Sequence, residues 1–129
     1  MIEVTAAIIQ KNGMVLICRR DASKRHGGKW EFPGGKIEDG ETPERCLARE
    51  MREEFNIRVS VGSLLAENIH IYHRGPVRLL AYHVRWLSGE MRLLDHDRTA
   101  WVYPSDLTDY DLLPADKPFA DRLRAIEKS

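Results

Sequence analysis

One segment constrains this chain more than any other. Thr42-Pro43 offers a side-chain oxygen to cap a helix and a proline at its first position, where the missing N–H costs nothing, and no breaker follows until Asn56. The spacing predicts a helix from about Pro43 to Phe55. At about 100° per residue, Leu47, Ala48, Met51 and Phe55 share one arc, while Glu50, Glu53 and Glu54 gather on another. Such a helix has to bury one face and leaves three carboxylates side by side. Repulsion among them raises at least one pKa unless a cation neutralises the group. Hard oxygen ligands suit Mg²⁺, with Mn²⁺ as the alternative; Mg²⁺ keeps several waters and bridges carboxylates to phosphates, whereas zinc would want His or Cys. Cys46 is the soft ligand nearest this cluster, and a lone thiol is more often a packing residue. On composition alone, the same helix also reads as a solvated face of Glu–Arg pairs.

The rest of the chain supplies a frame. With 129 residues, 43% hydrophobic and 31% charged, it is expected to form a single domain over residues 1–129 and to hold a core without metal or disulfide. Twenty Lys+Arg balance twenty Asp+Glu, which argues against a stable nucleic-acid partner or an anionic membrane. Two cysteines are too few for a disulfide framework, and the opening residues lack the features of a secretion signal, so a cytoplasmic setting is expected. Strands are predicted at Ile2–Gln10 and Met14–Arg19 around an Asn12-Gly13 turn, then at Trp30–Phe32, Ile57–Val61, Leu64–Tyr72, Val77–Leu87 and Trp101–Tyr103. Pro33-Gly34-Gly35 reads as a stop followed by a loop of unusual backbone freedom. A short helix is expected from Pro104 and a longer one over Lys117–Ile126. Hairpins mixed with single helices point to an α+β fold, not to regular βαβ alternation.

Counting from Gly35, Glu41 follows after five residues, and Arg49-Glu50-Met51-Arg52-Glu53-Glu54-Phe55-Asn56-Ile57 after seven more. This resembles the Nudix box, G-x5-E-x7-R-E-U-x-E-E-x-G-U with U aliphatic, and departs from it only where Asn56 replaces glycine. Asn tolerates the left-handed conformation of a helix end, so the pattern survives the exchange. Trp30-Glu31-Phe32-Pro33-Gly34-Gly35-Lys36 and Leu113-Pro114-Ala115-Asp116 are similar to the corresponding runs of MutT-type nucleoside triphosphate pyrophosphohydrolases. The resemblance implies the Nudix fold, a mixed β-sheet sandwiched between α-helices. It also implies Mg²⁺-dependent cleavage of a nucleoside triphosphate to a monophosphate and pyrophosphate.

By the same resemblance, Glu50, Glu53 and Glu54 hold the metal with the carbonyl of Gly34, Arg49 orients Glu50, Glu41 supports the loop, and the two glycines permit close backbone approach. Asp95 precedes Trp101 at the offset of the family's later acidic residue, making it a further metal ligand or proton acceptor alongside Glu50 and Glu54. Arg20 matches a nucleotide-contacting arginine, with Arg19, Lys24, Arg25 and Lys29 as further cations nearby. Asp116 stands at the base-reading position, where the oxidised-guanine type carries asparagine, and Phe32 either borders the base or belongs to the core. An oxidised purine such as 8-oxo-dGTP and a CTP or dCTP type remain open, as do a monomer and a homodimer. Competing readings are a nucleotide-binding module without turnover and a hydrolase of RNA 5′ ends or of other diphosphate-linked nucleosides. His70, His73, His83 and His96 read as strand or loop residues, since no spacing among them resembles a zinc motif.

Overall fold

The structure is a computed structural model and describes residues 1–128; Ser129, the end of the expected domain, lies outside the described residues. Its architecture follows from strands that are apolar on both sides. β1 (Ile2–Lys11) sends Ala6 and Ile8 into one hydrophobic cluster and Ala7 and Ile9 into another, as a period of two requires. β2 (Met14–Arg20) repeats the division, with Val15 and Ile17 on one side and Leu16 and Cys18 on the other. Asn12 (φ 53°) and Gly13 (φ 79°) turn the chain between them.

β1 pairs antiparallel with β4 (Gly34–Lys36) and parallel with β6 (Gly75–Ser88), and β5 (Arg58–Tyr72) flanks β6. β2 pairs antiparallel with β3 (Trp30–Glu31) and β7 (His96–Val102). The mixed sheet carries α1 (Pro43–Phe55) on one face, through Leu47, Met51 and Phe55. α2 (Lys117–Lys128) covers the other through Phe119, Ala120 and Leu123. Each such fully buried large side chain contributes roughly 1.5–3 kcal/mol. This is the α+β sandwich expected from the sequence. No helix among the described residues is long and apolar enough to cross a membrane.

α1 begins and ends on the predicted residues. Thr42 Oγ1 accepts from the Arg45 N–H at 3.1 Å, and Asn56 takes the left-handed conformation (φ 60°, ψ 34°), with its N–H on the Arg52 carbonyl at 3.1 Å. Three expectations need correction. The Gly34-Gly35 stretch is not a free loop: Gly34–Lys36 pairs with Val4–Ala6, and neither glycine has a positive φ. The two strands expected over Ile57–Tyr72 are one strand bent by register shifts around Leu64, since a bulge absorbs Gly62 and Ser63 without ending the pairing. The strand expected at Trp101 begins at His96; its polar first half lies beside β2, and cross-strand hydrogen bonds extend it where hydrophobicity does not.

Candidate active site

The packing of α1 against β4 explains why the segment needs glycine. A Cβ on Gly34 would overlap the Thr5 carbonyl oxygen, and a Cβ on Gly35 would lie 2.5 Å from Glu50 Oε1 and 2.6 Å from Oε2. Closeness is what these positions require, and it seats the acidic face of the helix directly on the strand. Arg49 holds that face in place. Its Nε and Nη2 grip both oxygens of Glu41 at 2.7 and 3.0 Å, and Nη1 donates to Glu50 Oε1 at 3.0 Å and Glu53 Oε2 at 3.3 Å. The bidentate pair drives Glu41 down to about 2, aided by the Glu38 N–H, and raises Arg49 well above its usual range.

Beside this clamp opens a cavity of ≈ 530 Å³. Gly34, Gly35, Glu50, Glu54 and Asp95 line it, as do Arg20, Phe32 and Asp116. The structure thus brings together eight residues drawn from β2, the β3–β4 link, β4, α1, the approach to β7 and the C-terminal segment. Arg49 lies behind the wall, and Glu53, with a half-exposed side chain, turns towards Arg49 outside the lining. Of the other cations, Lys24 and Arg25 line the cavity; Arg19 pairs with Asp97 at 2.8 Å and Lys29 with Asp111 at 2.9 Å.

The carboxyls are electrostatically unbalanced. Burial, with Asp95 and Glu50 nearby, pushes Glu54 up to about 7, and burial also raises Glu50 against the pull of Arg49. Glu54 Oε2 is buried without a hydrogen-bond partner. Asp95 is shifted down by its contact with Glu54 and by Lys24, whose Nζ lies 3.2 Å from Oδ1. An all-oxygen set with a bare buried oxygen fits a hard divalent cation. If Glu54 is among its ligands, a cation has to displace the Glu54 proton below pH 7. Mn²⁺ affinity measured by calorimetry is therefore expected to fall about tenfold per pH unit from pH 7 downwards and to level off above pH 8.

At the other wall, Asp116 is 5% exposed, and Oδ2 accepts the Phe32 N–H at 3.1 Å. Burial, reinforced by Glu31, pushes its carboxyl up to about 8. Phe32 is at once a core residue, 3% exposed, and a lining residue. Its segment is stitched to the C-terminal one, as Trp30 donates its N–H to the Asp111 carbonyl at 2.9 Å and its own carbonyl accepts from Leu113 at 2.9 Å.

Sequence reasoning missed Glu31 and His96, both of which line the cavity. The signal for Glu31 was available, an acidic residue between two aromatics in a short strand. His96 carried none, because its neighbours Asp95 and Asp97 read as a polar loop. Cys18 also comes near these two, its sulfur lying within 4.8 Å of ligand atoms of Glu31 and His96. Burial holds the Cys18 thiol protonated, and Arg20 and His96 already take Glu31 Oε2, so these three form a hydrogen-bonded group rather than a zinc set. Cys46 packs beside Thr5 Oγ1 at 3.4 Å, in the packing role expected for it.

Comparison with known proteins agrees with this geometry. The family model described as NUDIX domain matches residues 1–123. The chain is 36% identical over 126 residues to the CTP pyrophosphohydrolase of Escherichia coli strain K12, covering 98% of this chain and 93% of that protein. It is 31% identical over 126 residues to the 8-oxo-dGTP diphosphatase of the same organism, covering 97% and 98%. The solution structure of the E. coli ORF135 protein superposes with a TM-score of 0.89 at 36% identity, over 98% of this chain and 91% of that one. The glycine-backed carboxylate helix, the box complete but for Asn56, and these likenesses converge: the chain belongs to the NUDIX domain family.

Proposed function

We propose that this chain is a Mg²⁺-dependent pyrophosphohydrolase that adds water to the β-phosphorus of a nucleoside triphosphate, releasing the nucleoside monophosphate and pyrophosphate. The observation that carries this reading is the buried, unbonded Glu54 oxygen, set among Glu50 and Asp95 in a cavity that also offers Arg20, Phe32 and Asp116. Glu50, Glu53, Glu54, Asp95 and the Gly34 carbonyl would hold the cation, Mn²⁺ serving as an alternative. When bound, it neutralises the polyphosphate and makes water more acidic.

The chain's own residues supply the rest. Arg20 meets phosphate charge, and Arg49 fixes Glu50 while Glu41 fixes Arg49. The water oxygen bonds to the β-phosphorus as the bridge to the α-phosphate breaks; the monophosphate leaves with the electron pair, and the water proton passes to a carboxylate. Glu50 is engaged by Arg49 and Asp95 by Lys24, and Glu50, Glu54 and Asp95 all stand as acceptors. The enzyme acts as one domain, as a monomer or homodimer. Two free buried cysteines suit the reducing cytoplasm to which this reading assigns it. A panel of ordinary, methylated and oxidised nucleoside triphosphates, with products identified, tests the proposal; no Mg²⁺-dependent pyrophosphate release from any of them overturns it.

Asp116 reads the base. In its neutral form the carboxyl both donates and accepts, which matches paired acceptor and donor atoms on an oxidised guanine or on cytosine. The relatives named for CTP and for 8-oxo-dGTP support these two classes. Asp116→Asn is expected to change the ratio of rates on them, and an unchanged ratio removes Asp116 from base reading. The same variant has a stability signature. A carboxyl raised from 3.8 to about 8 binds a proton on folding, so its penalty is absent below about pH 4 and complete above about pH 8. Asp116→Asn is therefore expected to raise Tm by about 5 °C or more at pH 8 and negligibly near pH 4.

A further inference from the structure

His96 opens β7 opposite Arg20 in the β2–β7 ladder, where the register slips between Arg19 and Arg20. Such a bulge re-aims the side chains beside it. Here it brings three strands to one oxygen: His96 Nε2 lies 2.8 Å from Glu31 Oε2 on β3, and Arg20 Nη1 donates to the same atom at 3.0 Å. A carboxylate oxygen accepts, so Nε2 carries the hydrogen. The imidazole is 8% exposed and stacks on Phe55, with centroids 5.3 Å apart and planes 26° apart, so the fully buried end of α1 fixes its orientation. Arg20 is tied a second time, its Nε donating to the Arg25 carbonyl at 2.7 Å, which leaves Nη2 to meet a ligand.

We propose that His96 is a positioning residue whose Nε2–H pins the Glu31 carboxylate, and through it holds Arg20 facing the cavity for the anionic part of the nucleotide. Glu31 alone is a flexible side chain that can follow Arg20 into several rotamers. Anchored by a stacked ring, it gives the guanidinium one direction, and the cost of ordering it is met before substrate arrives. The ligand's identity rests on the proposed function, whereas the His96–Glu31–Arg20 chain is a property of the free protein.

The test compares the wild type with His96→Phe, which keeps the ring and loses the donor, and His96→Gln, which keeps an N–H donor. Each is made also in a Glu31→Gln background. His96→Phe is expected to raise KM about tenfold, to change kcat less than about threefold and to leave Mn²⁺ affinity unaltered, with His96→Gln recovering most of the loss. In the Glu31→Gln background its effect on KM shrinks below about twofold. Equal effects in both backgrounds overturn the inference, as does a fall in kcat with weaker Mn²⁺ binding, which would assign His96 to holding Asp95. A second readout needs no substrate: the Nη1–H NMR resonance of Arg20, the donor that meets Glu31, is expected to be protected from exchange in the wild type, to disappear in His96→Phe and to return in His96→Gln. If the wild type turns over no nucleotide, the proposed function fails alone; this resonance still decides the role of His96, and its persistence in His96→Phe overturns it.

Discussion

Glu54→Gln is expected to cut Mg²⁺-dependent turnover at least about a hundredfold while leaving the protein as stable as before or more so. The two halves of that result arise from one feature. Glu54 is a buried carboxyl beside Asp95, with one oxygen that no protein group satisfies. Without a cation this is a destabilising arrangement, and glutamine relieves it by removing the charge at nearly constant shape. In the function proposed it would serve a bound cation as a ligand, and glutamine would remove a charge where the polyphosphate needs compensation. Loss of activity together with an unchanged or raised Tm, above pH 7 in particular, separates a catalytic site from a merely strained one. Glu53→Gln addresses the same cluster from its exposed edge and carries the same expected rate loss. Unaltered turnover in both variants would dissociate the carboxylates from the chemistry.

The second large effect divides two adjacent glycines. Gly34→Ala is expected to destabilise the fold by about 3 kcal/mol or more, because the added carbon meets the Thr5 carbonyl across a backbone pairing that cannot shift without parting β1 from β4. Gly35→Ala meets instead the end of the Glu50 side chain, which can rotate away. Its expected signature is a folded protein, with Tm lowered by a few degrees, whose kcat falls about tenfold to a hundredfold as Glu50 leaves its place on Arg49. Thermal melts and initial rates on the two variants check both halves. A Gly34→Ala protein as stable as the wild type, or a Gly35→Ala protein of full activity, would contradict the packing described.

What could be read beforehand depended on how local its cause is. α1 was legible from end to end because a capping threonine, a proline and an asparagine able to turn left-handed all act within a few residues, and the amphipathic arc lies between them. The glycine pair was legible as a place of close backbone approach, but the partners that approach it were not. Sequence suggests freedom of φ, whereas the strand needs the missing Cβ, and the atoms that make it necessary belong to Thr5 and Glu50. The facing of Glu54 and Asp95 joins a helix to the approach of a strand some forty residues on, and only the pairing of β7 with β2 brings them together. His96 was invisible for a related reason. Its strand is polar at the start, and a hydrogen-bonded neighbour, not an apolar alternation, makes it a strand. In β5, two runs divided by Gly62 and Ser63 suggested two strands, and a bulge made them one.

The stitching of Trp30 to Asp111 and Leu113 hangs the segment that carries Asp116 on β3, apart from the β4–α1 contact that assembles the carboxylates. β3 and β4 are nevertheless parted by Phe32 and Pro33 alone, so, if Asp116 reads the base as proposed, a change in the letter accepted is two residues of chain away from the hydrolytic engine.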